Sequence, residues 1–195
     1  SSGDVIPLLP RQMRLFEVED LKVSSLATVS RCGMVYIEQI PPLLSALVST
    51  WSKSSSIPIS VKPFSASLRD SICKIIVPLL GHIRSTMREP IPTSDAHIVK
   101  SMLNLLDSLF FANFPDPDST LPQPLKSLSP EELESSLHGM VVFSAAWRAG
   151  TTLLSKDKKS FDAKLRALAS EAALKIVLPA SGTVFDSFFD NKNRK

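Results

Sequence analysis

The residues best placed to do chemistry are Ser30-Arg31-Cys32-Gly33, which close a polar loop just before the apolar run Met34–Ile37. Arg31 is the informative member. A guanidinium stays charged and presents a planar fork of donors, so it suits a carboxylate or a phosphoryl group in a way that lysine cannot copy. Spacing alone leaves two readings open. Arg31 pairs with a neighbouring carboxylate such as Glu17 or Asp20, or it has a role in chemistry that spacing by itself does not specify.

Other chemistry is sparse. None of the six glycines opens G-x-x-x-x-G-K-[ST], G-x-G-x-x-G or G-x-S-x-G, so the chain carries no phosphate-binding loop and no nucleophile elbow. His82, His97 and His138 are isolated from one another and read as exposed or half-buried helix residues rather than metal ligands. Asp116 and Asp118 in PDPD read as a polar loop, Lys156-Asp157-Lys158-Lys159 as a solvated helix start, and Trp147 as core. Cys32 and Cys73 form no metal-ligand pair and no disulfide framework, which fits a reducing, intracellular setting.

Bulk properties bound the class. With 44% hydrophobic and 21% charged residues, the 195-residue chain is ordinary for a globular protein. A net charge of +3 with scattered lysines and arginines gives no nucleic-acid interface. No window approaches about eighteen consecutive apolar residues, so no membrane span is expected. The N-terminus SSGDVIPLLP lacks a signal-peptide pattern and a starting Met, as expected of a fragment or processed chain.

The elements that would position Arg31 form a strand-loop-strand unit. Met13–Val18 reads as a strand, Asp20–Ser30 as a connection with a helical turn around Ala27–Ser30, and Met34–Ile37 as a second short strand entered through Gly33. Two strands make no stable sheet by themselves, so they read as the last pieces of a larger α/β sheet. After Tyr36 the period becomes helical. Leu43, Leu44, Leu47, Val48 and Trp51 follow a Pro-Pro start, and Ser52–Lys62 reads as a linker. A long helix over about 65–87 contains Pro78, which should kink it because the Lys74 carbonyl loses its partner. Thr93 or Ser94 caps a helix over about 95–111, Ser129-Pro130-Glu131-Glu132 opens one that stops at Gly150, and a last one spans about 157–177. The loop from Phe114 to Ser127 carries four prolines, and Val184–Phe189 is an apolar coda. The expected fold is therefore mostly α with a small α/β remnant, divided at about residue 40: 1–40 the end of an α/β domain, 41–195 a helical bundle.

The run FEVEDLKVSSLATVSRCGMVYI resembles the segment of dynein heavy chains that closes the large domain of the second AAA+ module. EPIPTSDAHIVKSMLNLLDSLF resembles the helical small domain of the same module, particularly in axonemal chains, and MVVFSAAWRAGTTL, FDAKLRAL and GTVFDSFF follow in the expected order. The resemblance implies that the chain holds the last two strands of an AAA+ sheet followed by the small-domain bundle, without Walker A or Walker B. It implies that Arg31 is an arginine finger acting in trans, Glu19 a departure at a sensor position often held by Asn, and Arg148 a candidate sensor arginine whose other reading is plain surface. Gly33 would then turn the chain from finger into strand, with Cys32 facing the interior. ATP and Mg²⁺ would belong to the intact motor, with none bound by this chain alone, and hydrolysis would need the other modules. Implied partners are adjacent AAA+ modules of the same heavy chain, microtubules, and dynein intermediate and light chains, in cytoplasm, cytoskeleton and the axoneme of cilium or flagellum. A clamp-loader-like AAA+ subunit, which shares Ser-Arg-Cys, and a non-catalytic helical interaction module are the alternative readings.

Overall fold

The computed structural model describes residues 7, 9–18, 20–36, 42–114 and 129–188. The chain divides into two compact units, Ser1–Gln39 and Ile40–Lys195.

In the first unit the described backbone contains one regular element, α1 (Leu26–Arg31). Ser25 caps it, its hydroxyl accepting from the Thr28 amide at 3.1 Å. The two expected strands do not form among the described residues: Met13–Val18 and Met34–Tyr36 run without strand pairing, and Ile37 lies outside those described. An extended segment becomes a strand only when another backbone takes its N–H and C=O groups, and neither segment meets one here. Their side chains remain in solvent, with Met13 95%, Leu15 99% and Tyr36 88% exposed.

The second unit is helical. It comprises α2 (Pro42–Ser52), α3 (Ser65–Thr86), α4 (Asp95–Asn113), α5 (Pro130–Ala149) and α6 (Lys158–Glu171), with short 3₁₀ turns at Lys62–Phe64 and Val184–Asp186. Neighbour relations close a ring in the order α2, α3, α5, α4, and α6 packs against both α3 and α5. Each helix turns an apolar stripe into this ring. Leu68, Ile72, Ile75, Ile76, Leu79, Leu80 and Ile83 come from α3, while Ile98, Val99, Met102, Leu106 and Phe110 come from α4. From α5 come Leu137, Met140, Val141 and Ala145, and from α6 Phe161 and Leu165.

Two local results differ from the sequence reading, in the stretch before α3 and at the end of α6. The Ser52–Lys62 stretch is a packed connection rather than a loose linker: Ile57 and Val61 are buried, and Asp107 accepts from both Trp51 Nε1 (2.8 Å) and Ser56 Oγ (3.2 Å). Pro78 lies within α3, as the sequence reading places it, and the helix continues as one element to Thr86. Pro78 and Lys74 are both exposed, so water can satisfy the carbonyl that proline leaves without a donor. Finally, α6 stops at Glu171 instead of running to Val177. Ala173 takes a left-handed φ of 52°, with Ala173 N donating to Ser170 O and Leu174 N to Ala169 O. That pair of bonds is a Schellman closure built on alanine instead of the usual glycine.

The capping expectations match the structure. Ser94 caps α4 by accepting from His97 N, and Ser129 and Glu132 form the reciprocal capping box of α5.

Candidate functional site

Arg31 occupies the last turn of α1, where a cation complements the partial negative charge of the helix end. It is exposed, and among the described residues it forms no ion pair. Asp20, one carboxylate that could have engaged it, instead holds Lys22 at 3.0 Å and accepts from the Lys22 amide. That bond to Lys22 keeps the Asp20 carboxyl below its ordinary value. Cys32 is exposed rather than turned inward, and no residue of the short helix before it is buried. At Gly33 a Cβ would meet open space and the backbone is not left-handed, so glycine is not required by this conformation. Glu19 lies outside the described residues.

Arg148 belongs to the second unit, exposed in the last turn of α5. Here too a cation sits at a helix C-terminus, a placement that needs no ligand to explain it. Trp147 beside it is 39% exposed rather than core; its ring meets Phe143 at 6.1 Å and Phe185 edge-on at 6.4 Å. The histidines sit on α3, α4 and α5, and His138 is buried where an exposed or half-buried position was expected.

A dense polar constellation among the described residues matches no sequence motif. Between α3 and α4, the Glu89 carboxylate accepts from Thr93 N at 3.1 Å and Thr93 Oγ1 at 2.7 Å, and it pairs with Arg84. Arg84 also donates to Asp95 Oδ1 at 2.8 Å and to the Thr93 carbonyl at 2.7 Å. The Glu89 side chain is only 5% exposed. Burial alone would raise its carboxyl, but donors from Thr93, Thr152 and Arg84 outweigh that and hold it at about 2. These residues are the framework of EPIPTSD: the prolines stiffen the loop, Glu89 ties its two ends, and Ser94 starts the next helix. The signal was available in the charges bracketing the proline pair, Arg84 and Glu89 before and Asp95 after. This arrangement is a brace, since every polar atom of the carboxylate is already engaged within the chain.

Two further anchors fix the segment after α6. Asp162 receives Arg166 Nε at 2.9 Å and Val184 N at 2.7 Å, while Arg166 Nη1 donates to the Pro179 carbonyl at 2.8 Å. Phe185 then stacks on Phe161 with centroids 5.6 Å apart, and Lys158 lies 5.2 Å over its ring. Gly150 makes this seat possible: a Cβ there would collide with the Phe185 and Phe161 rings and the Ala146 carbonyl.

A closed ring of four helices with a fifth packed against it, a tied-down tail and no phosphate-binding loop has the form of a helical lid rather than a nucleotide-binding domain. The sequence agrees, matching the dynein heavy chain AAA lid domain family over residues 68–195, and the chain belongs to that family. It is 33% identical over 98% of its length to mouse dynein axonemal heavy chain 1, and 26% identical over 96% to mouse dynein axonemal heavy chain 3. It is also 26% identical over its full length to the ciliary dynein beta chain of Tripneustes gratilla. The chain spans about 4% of the length of the first and last of these relatives and 5% of the second. No solved structure matches significantly. No described helix is long and apolar enough to cross a membrane.

Proposed function

We propose that this chain is the junction between the large and small domains of the second AAA+ module of an axonemal-type dynein heavy chain, and that Arg31 acts as an arginine finger on the nucleotide of the neighbouring module. The observation that carries the reading is an exposed guanidinium at the end of a capped helix with no counter-ion among the described residues, within the ATVSRCGMV run. Exposed Met13, Leu15, Phe16 and Tyr36 support the companion idea that the flanking segments complete a sheet whose other strands lie elsewhere in the heavy chain.

On this reading, nucleotide and Mg²⁺ are held by other parts of the ring. Phosphoryl transfer spreads negative charge over the γ-phosphoryl oxygens, and a guanidinium brought in from the side stabilises that charge as it develops. The site would be complete only when adjacent modules meet, which couples ring geometry to hydrolysis. Glu19 would replace a polar sensor with a carboxylate, poorly suited to orienting water near phosphates, in keeping with a module that binds nucleotide without hydrolysing it. Arg148 is the remaining sensor candidate. The motor as a whole would use ATP to drive minus-end-directed movement on microtubules in the axoneme, assembled with intermediate and light chains. Family membership favours this over a clamp-loader-like subunit.

The test is Arg31→Ala and Arg31→Lys in the intact heavy chain. ATP should still bind the adjacent module, while microtubule-stimulated hydrolysis falls by about 10³-fold or more, with no rescue by lysine. Near-normal turnover in either variant would refute the finger. The isolated chain should show no hydrolysis above background, and Mg²⁺-dependent turnover would reveal a site of its own.

A further inference from the structure

All three polar groups of Lys175 are engaged on one face of α5. Its backbone N–H donates to His138 Nδ1 at 3.1 Å, its carbonyl accepts from Ser135 Oγ at 2.7 Å, and its ammonium meets Glu134 Oε2 at 2.7 Å. The left-handed turn at Ala173 delivers Lys175 to this face. Since a backbone N–H can only donate, His138 Nδ1 must carry a lone pair. The neutral ring therefore holds its proton on Nε2, directed at Ser71 Oγ of α3, 3.5 Å away. The imidazole, 5% exposed, thus bridges α3, α5 and the segment after α6.

We propose that this contact is a pH-operated clasp: neutral His138 holds the segment beginning at Leu174 against α5, and protonation of the ring releases it. An imidazolium has donors at both nitrogens, so Nδ1–H would face the Lys175 N–H with nothing to accept either proton. Burial is the main influence on the ring and favours its neutral form; Glu134 pulls the other way, and the Lys175 ammonium adds to burial. From α3 the group at the ring is the uncharged Ser71 hydroxyl, and among the described residues no charge from α4 or α6 acts on it. Glu134 and Lys175 are paired with each other, so their effects on the ring largely offset. With the folded-state histidine below its ordinary value of 6.5, the open form binds the proton more readily. The clasp is then intact above about pH 6.5 and weakens as pH falls through the interval below it. The anchor at Asp162 and Val184 contains no histidine, so release should stay confined to the segment around Lys175.

The test is hydrogen exchange on the full 195-residue chain, corrected for intrinsic rates, across pH 7.5 to 5. Protection of the Lys175 amide should fall about tenfold per pH unit inside the interval, while the Val184 amide and α3 stay protected. In His138→Gln, whose side-chain oxygen can accept from Lys175 without titrating, the dependence should vanish. Protection of Lys175 that is flat with pH in the wild type, a loss shared equally by α3, or a loss that persists in His138→Gln would overturn the clasp. Imidazole nitrogen shifts of the wild type give a reading independent of that variant's folding. Nδ1 should be unprotonated at pH 7.5 and gain its proton as Lys175 loses protection; a proton on Nδ1 at pH 7.5 refutes the proposal.

Discussion

Replacing Glu89 with glutamine tests whether the EPIPTSD loop is an electrostatic brace. The carboxylate is nearly sealed from solvent and receives Thr93 N, Thr93 Oγ1 and the Arg84 guanidinium. Its carboxyl is held at about 2 against an ordinary 4.5. At about 1.36 kcal/mol per pH unit, that depression represents about 3 kcal/mol favouring the folded state. The sign follows from the direction: a depressed carboxylate contributes fully above about pH 4.5, and the contribution drains away as pH falls towards 2. Glutamine keeps the shape and one acceptor but turns an NH₂ towards groups that are themselves donors. Arg84 is 34% exposed, so water recovers part of the loss. Glu89→Gln should therefore cost about 2–3 kcal/mol at pH 7, which for a chain of this size lowers Tm by roughly 5–10 °C. Urea unfolding followed by fluorescence is a direct assay, because buried Trp51 reports on the core. Repeating it from pH 7 to 3 should show wild type losing stability below about 4.5 and the variant losing markedly less. A pH 7 difference under about 0.5 kcal/mol, or identical acid slopes, would refute the brace.

Gly150→Ala should destabilise by about 1–3 kcal/mol, because its Cβ meets the Phe185 and Phe161 rings and a backbone carbonyl together. Thermal melts measure the loss, and altered Trp147 emission should accompany it as Phe185 leaves its edge-on contact. Ala173→Gly should do the reverse, stabilising by about 1 kcal/mol through relief of the left-handed φ of 52° in the Schellman closure. A destabilised Ala173→Gly would show that the turn is not strained by its alanine.

The two halves of the chain differ in legibility for one physical reason. In the helical unit, information is local: stripes such as Ile98, Met102 and Leu106, and caps such as Ser94 and Ser129, act within a few residues of where they are read. Helices satisfy their own backbone, so the stripe needs only some apolar partner to become a core. Where a distant partner decides, the sequence misleads. Ser-rich 52–62 reads as linker until Asp107, more than fifty residues later, receives Trp51 and Ser56. The alanine-rich end of α6 reads as helix until Lys175 is claimed by His138, Ser135 and Glu134. Strands are the extreme case, because their hydrogen bonds are rarely local; Met13–Val18 and Met34–Tyr36 have strand composition, but among the described residues no neighbouring backbone pairs with them. Arg31 follows the same logic at the level of chemistry. Its type and setting can be read from the chain, and a short capped helix presents it, but an exposed guanidinium acquires a role only from the anion it meets. Packing variants such as Gly150→Ala can therefore be judged on the isolated chain, whereas the finger proposed for Arg31 has to be judged in the intact heavy chain of that proposal.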